Sequence, residues 1–354
     1  MIKYSRWLAC LAATVGLVLS ACAPLQPTAS TETNTPEANA PDADAGSLVI
    51  YSGRSENLVG PLIEQFKTAT GINVEVRYGS TPEVAATLLE EGANSPADLF
   101  FAQDPGGLGA VANAGLLAPL PAAIVDAVKP RFRSPDSLWV GVAGRARVVV
   151  YNTEAITEAD LPTDIAGFTD PAWSGRIGWA PTNASFQAMV TGMRKLWGEE
   201  ETRTWLEGIQ ANEPVVFEGN APIVEAVAAG EIDIGFVNHY YLYRFLAEQG
   251  EGFTARNYFL PGGGPGSLVM VAGAGRLAAG QNEANALQFI EFLVSPEAQQ
   301  YFTQETGEYP VIEGVAGPEG LTPIEELDTP DIALTDLADL QGTTQLLQDV
   351  GVLP

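Results

Sequence analysis

The strongest constraint on the fold is an alternation of short apolar strands and amphipathic helices, which occurs twice along the chain. In the first series, strands are predicted at residues 47–52, 72–78 and 97–101. A helix between the first two buries a stripe that includes Leu58 and Phe66 and ends before Gly71, and a second helix covers residues 83–91. Strands that alternate with helices indicate a parallel sheet covered by helices on both faces.

The same alternation begins again after a strand at residues 145–151. The remaining elements of this second series are strands at 176–179, 214–217 and 232–237 and helices at 186–197 and 223–229. Two α/β units of similar size predict a two-lobed α/β protein with mixed, mostly parallel sheets and a ligand cleft beyond the carboxyl ends of the strands. We expect residues 47–143 with 271–317 to form the first lobe and 144–270 with 318–354 the second. Crossing strands near residues 102–103 and 145–150 are predicted to form the hinge.

The first 46 residues have the composition of a targeting segment and a linker. A basic start and a short apolar run precede Leu19-Ser20-Ala21-Cys22, which resembles a bacterial lipobox. We therefore expect residues 1–21 to be a signal peptide and Cys22 to carry lipid. Residues 22–46 are rich in Pro, Thr, Ala and acidic side chains, which predicts a flexible tether to a membrane of the cell envelope, facing the periplasm or the exterior.

Charge and cysteine content exclude several functional classes. The formal net charge is −27, which disfavours nucleic acid and anionic lipid surfaces as partners. The two cysteines, Cys10 and Cys22, fall in the signal peptide and at the lipidation site, so no disulfide and no thiol-based metal site is expected in the mature chain. With one histidine, no Gly-x-Ser-x-Gly elbow and no Walker-type loop, the sequence does not indicate an enzyme.

The most informative chemical motif is the pair Tyr240-Tyr241, which follows the predicted strand at 232–237. At a strand-to-helix corner, adjacent side chains can point into one cleft, which is not possible within a strand. Two phenolic oxygens form a hard anionic clamp once deprotonated, and a bound ferric ion would offset their ordinary pKa of about 10. An aromatic pair packed in a core or a sugar-stacking surface is the alternative interpretation of the motif alone.

Several segments resemble the ferric-iron-binding lipoproteins of bacterial ABC importers, the periplasmic transferrin-like family with the type II periplasmic-binding-protein fold. The resemblance covers essentially the whole body of the chain, and the tyrosine pair is its most specific element. The matching segments are residues 51–56, 144–152, 180–186, 220–222, 238–241, 295–299 and 307–311.

The resemblance implies that Tyr240 and Tyr241 donate phenolate oxygens to Fe(III). It also implies a small synergistic anion, carbonate or phosphate, held by the turn Asn183-Ala184-Ser185 at the start of a helix, where free N–H groups favour anions. The turn could equally be an ordinary helix cap. Further anion-binding candidates are Asn220, Asn238, Arg54, Arg145 and Arg147.

The contribution of the first lobe is less defined, because relatives often carry histidine, tyrosine or glutamate at positions that here are Ser55, Glu56 and Gln103. Glu56 is the predicted first-lobe metal ligand, since a carboxylate is a hard oxygen donor. Ser55 and Gln103 are expected to line the cleft. If no first-lobe ligand exists, water or a chelating anion fills those positions. His239 is expected to point away from the metal.

The predicted function is capture of ferric iron, or a small ferric chelate, for delivery to a membrane permease and its ATPase. We expect a monomer that has no nucleic-acid partner and touches the membrane only through its lipid. An alternative keeps the fold but changes the cargo to a polyamine or to a small anion such as phosphonate, for which aromatic and acidic cleft residues would also serve.

Overall fold

One long strand, β5 (Val140–Asn152), joins two half-sheets into a single mixed sheet. The computed structural model describes residues 45–354, and the predicted signal peptide and Cys22 lie outside that range. The other strands are β1 (Ser47–Ser52), β2 (Asn73–Tyr78), β3 (Leu99–Ala102), β4 (Leu117–Ala118), β6 (Ile177–Trp179), β7 (Val215–Val216), β8 (Ile234–Asn238), β9 (Ala255–Tyr258) and β10 (Val269–Leu277).

Helices cover both half-sheets, and short 3-10 segments occur between them. The α-helices are α1 (Glu56–Thr70), α2 (Thr81–Glu91), α3 (Pro105–Asn113), α4 (Ala122–Ala127), α5 (Ala184–Leu196), α6 (Glu199–Ala211), α7 (Asn220–Ala228), α8 (Tyr241–Gln249), α9 (Glu283–Leu293), α10 (Pro296–Gln304) and α11 (Leu340–Asp349).

The crossing point of β5 lies between Ala146 and Arg147. Residues on the amino-terminal side of this point pair with β10, where Ala146 lies opposite Val269. From Arg147 onward the strand pairs with β8 and β9. The first half-sheet has the order β2-β1-β3-β10-β5, and the second has β5-β8-β6-β7 with β9 also on β5. A strand shared in this way can act as a hinge, since both half-sheets depend on it.

Two details of the predicted fold need correction. The chain does not cross between half-sheets at residues 102–103, because Asp104 caps α3 and the helix packs back on β10 and α2. The sheet is also less parallel than predicted. Parallel pairs occur among β1, β2 and β3 and among β6, β7 and β8, whereas every pair that involves β5 or β10 is antiparallel.

Local sequence signals explain where the first helices begin and end. The hydroxyl of Ser80 accepts a hydrogen bond from the backbone N–H of Glu83, whose carboxylate accepts one from the Ser80 N–H, and this capping box starts α2. Gly71 ends α1 in the left-handed conformation with φ of 73°. The buried face of α1 packs on α9 through Phe66 and Phe289, whose ring centroids are 4.9 Å apart.

Each half-sheet with its covering helices forms one half of the molecule, and the carboxyl-terminal tail contacts both halves. A short 3-10 segment, Leu334–Leu337, packs against α3 of the first half and α5 of the second, and α11 contacts the same two helices. Salt bridges join Arg194 to Asp339 and Lys195 to Asp336. The prediction that residues 318–354 belong to the second lobe therefore omits their contacts with α3. Within residues 45–354, no helix is long and apolar enough to cross a membrane.

Candidate metal centre

The tyrosine pair lies where β8 ends and α8 begins. Asn238 is the last residue of the strand, Tyr241 is the first of the helix, and Tyr240 stands between them. The two rings stack, with centroids 4.3 Å apart and planes inclined by 27°. Tyr240 is fully buried and Tyr241 keeps partial exposure. The corner thus places the two phenol rings together at the carboxyl end of a strand.

The surroundings of Tyr241 disfavour a negative charge on its phenol. The hydroxyl of Tyr240 is buried and has no hydrogen-bond partner within residues 45–354. Burial and the adjacent Tyr240 phenol raise the pKa of Tyr241 well above its ordinary value, against an opposing effect of Arg54 and Arg145. Tyr241 is therefore protonated at neutral pH, and a metal ion that binds its oxygen must displace a proton.

Three fully buried arginines surround the pair. Arg145 and Arg147 lie two residues apart on β5, so their side chains leave the same face of the strand. Arg54 follows β1 at the carboxyl end of that strand. The three guanidinium groups are close enough to the phenols for electrostatic interaction, as shown by the effect of Tyr240 on the pKa of each.

The three arginines differ in how their donors are used. Arg54 makes a bidentate ion pair with Glu308, with Nη1–Oε1 at 2.9 Å and Nη2–Oε2 at 2.6 Å. Arg147 donates from Nη1 to Oδ1 of Asn238 at 3.1 Å and reaches Oδ1 of Asn220 at 3.5 Å. Within the described residues Arg145 has no hydrogen-bond partner on any guanidinium nitrogen, and its nearest carboxylate oxygen, on Glu308, is 3.9 Å away.

This distribution leaves buried positive charge without full compensation. Burial lowers the pKa of Arg147 to about 9, although Tyr241 and Tyr240 act in the opposite direction. Burial also lowers the pKa of Arg145, again opposed by Tyr240. Both groups remain protonated at neutral pH. Since a buried unpaired charge costs free energy, the arrangement suits an anion that accepts from Arg145 and Arg147.

A polar network connects the two halves beside the tyrosines. The Ser185 hydroxyl oxygen accepts from Nδ2 of Asn238 at 2.9 Å and from Nε2 of Gln103 at 3.2 Å. Gln103 follows β3 in the first half, whereas Ser185 lies in the first turn of α5 in the second. The Asn238 N–H donates to Oδ1 of Asn220 at 2.7 Å. With both its lone pairs engaged, the Ser185 hydroxyl still has its proton to donate.

The turn predicted to hold an anion is an N-cap of α5. Oδ1 of Asn183 accepts from the N–H of Ser185 at 3.0 Å. The side chain of Asn183 therefore uses one of the free N–H groups at this helix start. Ala184 and Ser185 are buried beneath the turn. Of the three residues, Ser185 is the one whose side chain joins the polar network next to Tyr240.

Two predicted first-lobe residues are not buried with this cluster. Ser55 and Glu56 are exposed at the start of α1. Glu56 is near Tyr78, and its charge contributes, after burial, to raising the pKa of that tyrosine. Gln103, in contrast, is buried and in contact with Ser185. The structure brings Gln103 into the cluster and leaves Ser55 and Glu56 at the surface.

His239 is fully buried beside the crossing point of β5. Its Nδ1 accepts from the N–H of Ala146 at 3.1 Å, which leaves Nε2 to donate to the carbonyl of Gly307 at 3.0 Å. Burial lowers the pKa of His239 to about 4, so the ring is neutral at physiological pH. Both ring nitrogens are therefore hydrogen-bonded to backbone groups, one on β5 and one in the loop after α10.

Two functional candidates escaped sequence reasoning. Glu308 and Asp104 are buried carboxylates near the arginines. Glu308 lies in a matched motif, but its partner Arg54 is 254 residues away. Asp104 caps α3 with Oδ1, and Oδ2 has no partner in the described part of the chain. No sequence pattern reveals such long-range pairs. The pair Asp104-Pro105 is a helix-start signal that could have located the cap.

Clusters of the usual metal-ligating residues are absent from the described range. Among residues 45–354, no group of three or more His, Cys, Asp or Glu side chains is placed to hold a metal ion. This absence does not concern Tyr240 and Tyr241, since phenolate is a different hard oxygen donor.

Known proteins resemble this chain over most of its length. The model of the bacterial extracellular solute-binding protein family matches residues 61–326. The Fe(3+)-binding periplasmic protein of Serratia marcescens is 34% identical over 318 residues, which cover 89% of this chain and 93% of the relative. The crystal structure of iron-bound HitA from Pseudomonas aeruginosa has a TM-score of 0.82 at 35% identity and covers 86% of this chain and 99% of HitA.

A second similar structure contains iron and citrate. Trichodesmium FutA (IdiA) in complex with iron and citrate has a TM-score of 0.72 at 30% identity, and the match covers 86% of this chain and 99% of FutA. The chain belongs to the family of bacterial extracellular solute-binding proteins, in the group that contains the ferric-iron-binding periplasmic proteins. The resemblance inferred from sequence and the two-lobed type II periplasmic-binding-protein fold are thereby confirmed.

Proposed function

We propose that this protein captures ferric iron outside the cytoplasm and delivers it to an ABC permease and its ATPase. The observation that carries the proposal is the stacked pair Tyr240 and Tyr241, set beside buried arginines at the point where the two halves meet. Phenolate is a hard donor that suits a trivalent ion. The relatives named for ferric-iron binding support the same cargo.

The two phenolates would bind the ion from the second half, and an anion would complete the site. Carbonate and phosphate both present oxygens that can accept from Arg145 and Arg147 while binding the metal. The proton of the Ser185 hydroxyl is a third donor for that anion. Asn220 and Asn238 hold Arg147 and the Ser185 hydroxyl in position.

The first half would contribute mainly through closure. Gln103 contacts Ser185 across the two halves, so this hydrogen bond forms only when they approach each other. The exposed position of Glu56 favours the alternative in which water or the anion fills the remaining coordination positions. We propose that β5 bends near Ala146 as the halves close on the cargo, driven by contacts that exist only in the closed form.

The cargo is tested by the iron content of tyrosine variants. Apo-protein is loaded with ferric citrate, desalted, and analysed for iron per chain. We expect one iron in the wild type and loss of at least nine-tenths of it in Tyr240→Phe and in Tyr241→Phe, because phenylalanine keeps the ring but not the oxygen ligand. Tyr243→Phe is the matched control, since Tyr243 lies in the first turn of α8 and its ring packs near His239. Full iron content in both site variants would contradict the proposal and favour a cargo that stacks on aromatic rings, such as a polyamine.

We also propose that the protein is a lipid-anchored monomer of the cell envelope, attached through Cys22 after removal of residues 1–21. The lipobox-like sequence and the acidic, proline-rich segment that follows support this arrangement. A Cys22→Ala variant is expected to leave the membrane fraction. Retention of that variant on the membrane would contradict the anchor.

A further inference from the structure

Arg54 and Glu308 form a fully buried ion pair. Both residues have side chains with no solvent exposure, and the pair is bidentate. Thr306 also donates to the Glu308 carboxylate at 2.9 Å. Burial alone would raise the pKa of Glu308, but Arg54 and Arg145 lower it below its ordinary value, so the group is a carboxylate at neutral pH.

Arg54 would otherwise be a third donor to the anion. Burial acts to lower its pKa, but Glu308 and then the two tyrosines raise it above its usual value, which places the guanidinium within electrostatic reach of both phenols. Its Nη1 and Nη2 are occupied by Glu308. Among residues 45–354, Arg145 has no hydrogen-bond partner on any guanidinium nitrogen, and Nε and Nη2 of Arg147 also lack one, so both side chains keep donors for an anion.

The net charge of the cluster indicates the charge of the anion. Arg54, Arg145 and Arg147 carry three positive charges, and the Glu308 carboxylate removes one of them. Burial raises the pKa of Asp104, opposed by Arg145 and by the N–H groups of Gly107 and Gly106, so Asp104 removes a second charge in its ionised form. A ferric ion bound by two phenolates adds one positive charge. With Asp104 ionised, the loaded site carries two excess positive charges, and a buried site is most stable when such excess is neutralised.

We propose that Glu308 is a specificity-determining residue that sets the site for a divalent anion over a trivalent one. By holding Arg54 it leaves Arg145 and Arg147 to the anion, so that carbonate or hydrogen phosphate brings the buried cluster to neutrality. A trivalent anion such as citrate leaves an excess negative charge. This inference rests on the proposed capture of ferric iron, and it assigns to Glu308 a role distinct from metal ligation.

The test compares Glu308→Gln with a variant that removes both charges, Arg54→Gln with Glu308→Gln. Each apo-protein is loaded with ferric iron in the presence of carbonate, phosphate or citrate, desalted, and challenged with excess EDTA at pH 7.5. The half-life of bound iron is measured for each anion, and circular dichroism verifies folding. Glu305→Gln is the matched control, because Glu305 is exposed three residues before Glu308.

In Glu308→Gln, the ratio of the citrate half-life to the carbonate half-life should rise at least tenfold, because one more positive charge then faces the anion. The double variant should return this ratio to within about twofold of the wild type, since it restores the net charge, and Glu305→Gln should not change it. An unchanged ratio in folded Glu308→Gln overturns the inference. A shifted ratio in the double variant overturns it independently, even if the single variant does not fold. If the wild type retains no iron with any anion, it is the proposed function that fails.

Discussion

At the scale of single residues, buried polar groups without partners are the most informative feature of this protein. A guanidinium such as that of Arg145, enclosed without a hydrogen bond from residues 45–354, lowers the stability of the fold. The same holds for the Tyr240 hydroxyl, at smaller cost. Unpaired buried groups of this kind are retained where a bound ligand supplies the missing partner. Removing one should therefore raise the stability of the apo-protein and weaken ligand binding.

Arg145→Met tests this opposition. Methionine replaces the guanidinium with an apolar side chain of similar length. Because a buried charge is removed, the free energy of unfolding of the apo-protein should rise by about 1–3 kcal/mol. Iron retention in the presence of carbonate should fall at least tenfold, because the anion loses a donor. Thermal unfolding and the EDTA challenge measure the two effects.

Arg203→Met is the control for Arg145→Met, since Arg203 is partly exposed and lies 3.8 Å from Asp349 in a surface ion pair. Surface pairs contribute about 0–1 kcal/mol, so neither measurement should change much. A lower apo stability in Arg145→Met would show that Arg145 serves the fold rather than the ligand.

At the scale of elements, close packing of α3 against the carboxyl-terminal tail ties the two halves together on one side. A Cβ atom added to Gly109 would overlap the Ala338 side chain and lie 2.9 Å from the Ala338 Cα. Leu337 packs near Gly192 of α5 in the second half. Small residues on α3 therefore let the tail lie against both halves at once.

Gly109→Ala should lower the free energy of unfolding by about 1–3 kcal/mol, because the backbone of the tail must move to avoid the new methyl group. Gly252→Ala is the control, since Gly252 is exposed and its new Cβ would have no neighbour within 4 Å. An exposed substitution of this kind should change the free energy of unfolding by about 0.5 kcal/mol or less. Chemical denaturation of the two variants measures the difference, and equal effects of the two substitutions would contradict the packing argument.

The sequence predicted the elements whose signals are local. Apolar periodicity located α1 and β8, and the tyrosine pair at the strand-to-helix corner followed from their order. The helix α6 (Glu199–Ala211) was not predicted, although its acidic first turn is a helix-start signal. The prediction of a hinge at residues 102–103 was wrong. Asp104 caps α3 there, and this helix packs on the first half-sheet instead of crossing to the second.

Long-range partners could not be predicted from local patterns. Arg54 and Glu308 are adjacent only because β1 and the loop after α10 meet in the folded chain. The same is true of Gln103 and Ser185, which come from different halves. Sequence patterns identified the candidate donors, but which of them are free and which are paired depends on tertiary packing.

At the scale of the whole molecule, the proposed binding of ferric iron would be coupled to proton release and to closure of the two halves. The raised pKa of Tyr241 means that its phenol is neutral in the apo-protein over the physiological range. Ferric binding must displace that proton, and acid therefore competes with the metal. Because the Tyr241 proton must leave, the affinity should fall by about tenfold or more for each pH unit of acidification. Low pH thus favours release, and high pH favours retention until ferric hydrolysis intervenes.

The most direct measurement of the central claim is the visible spectrum during titration of the apo-protein with ferric citrate at pH 8 and again at pH 5. We expect a tyrosinate-to-iron charge-transfer band that saturates at one iron per chain at pH 8, weakens at pH 5, and is lost when Tyr240 and Tyr241 are both replaced by Phe. Tight binding of iron with no such band at either pH would contradict the account.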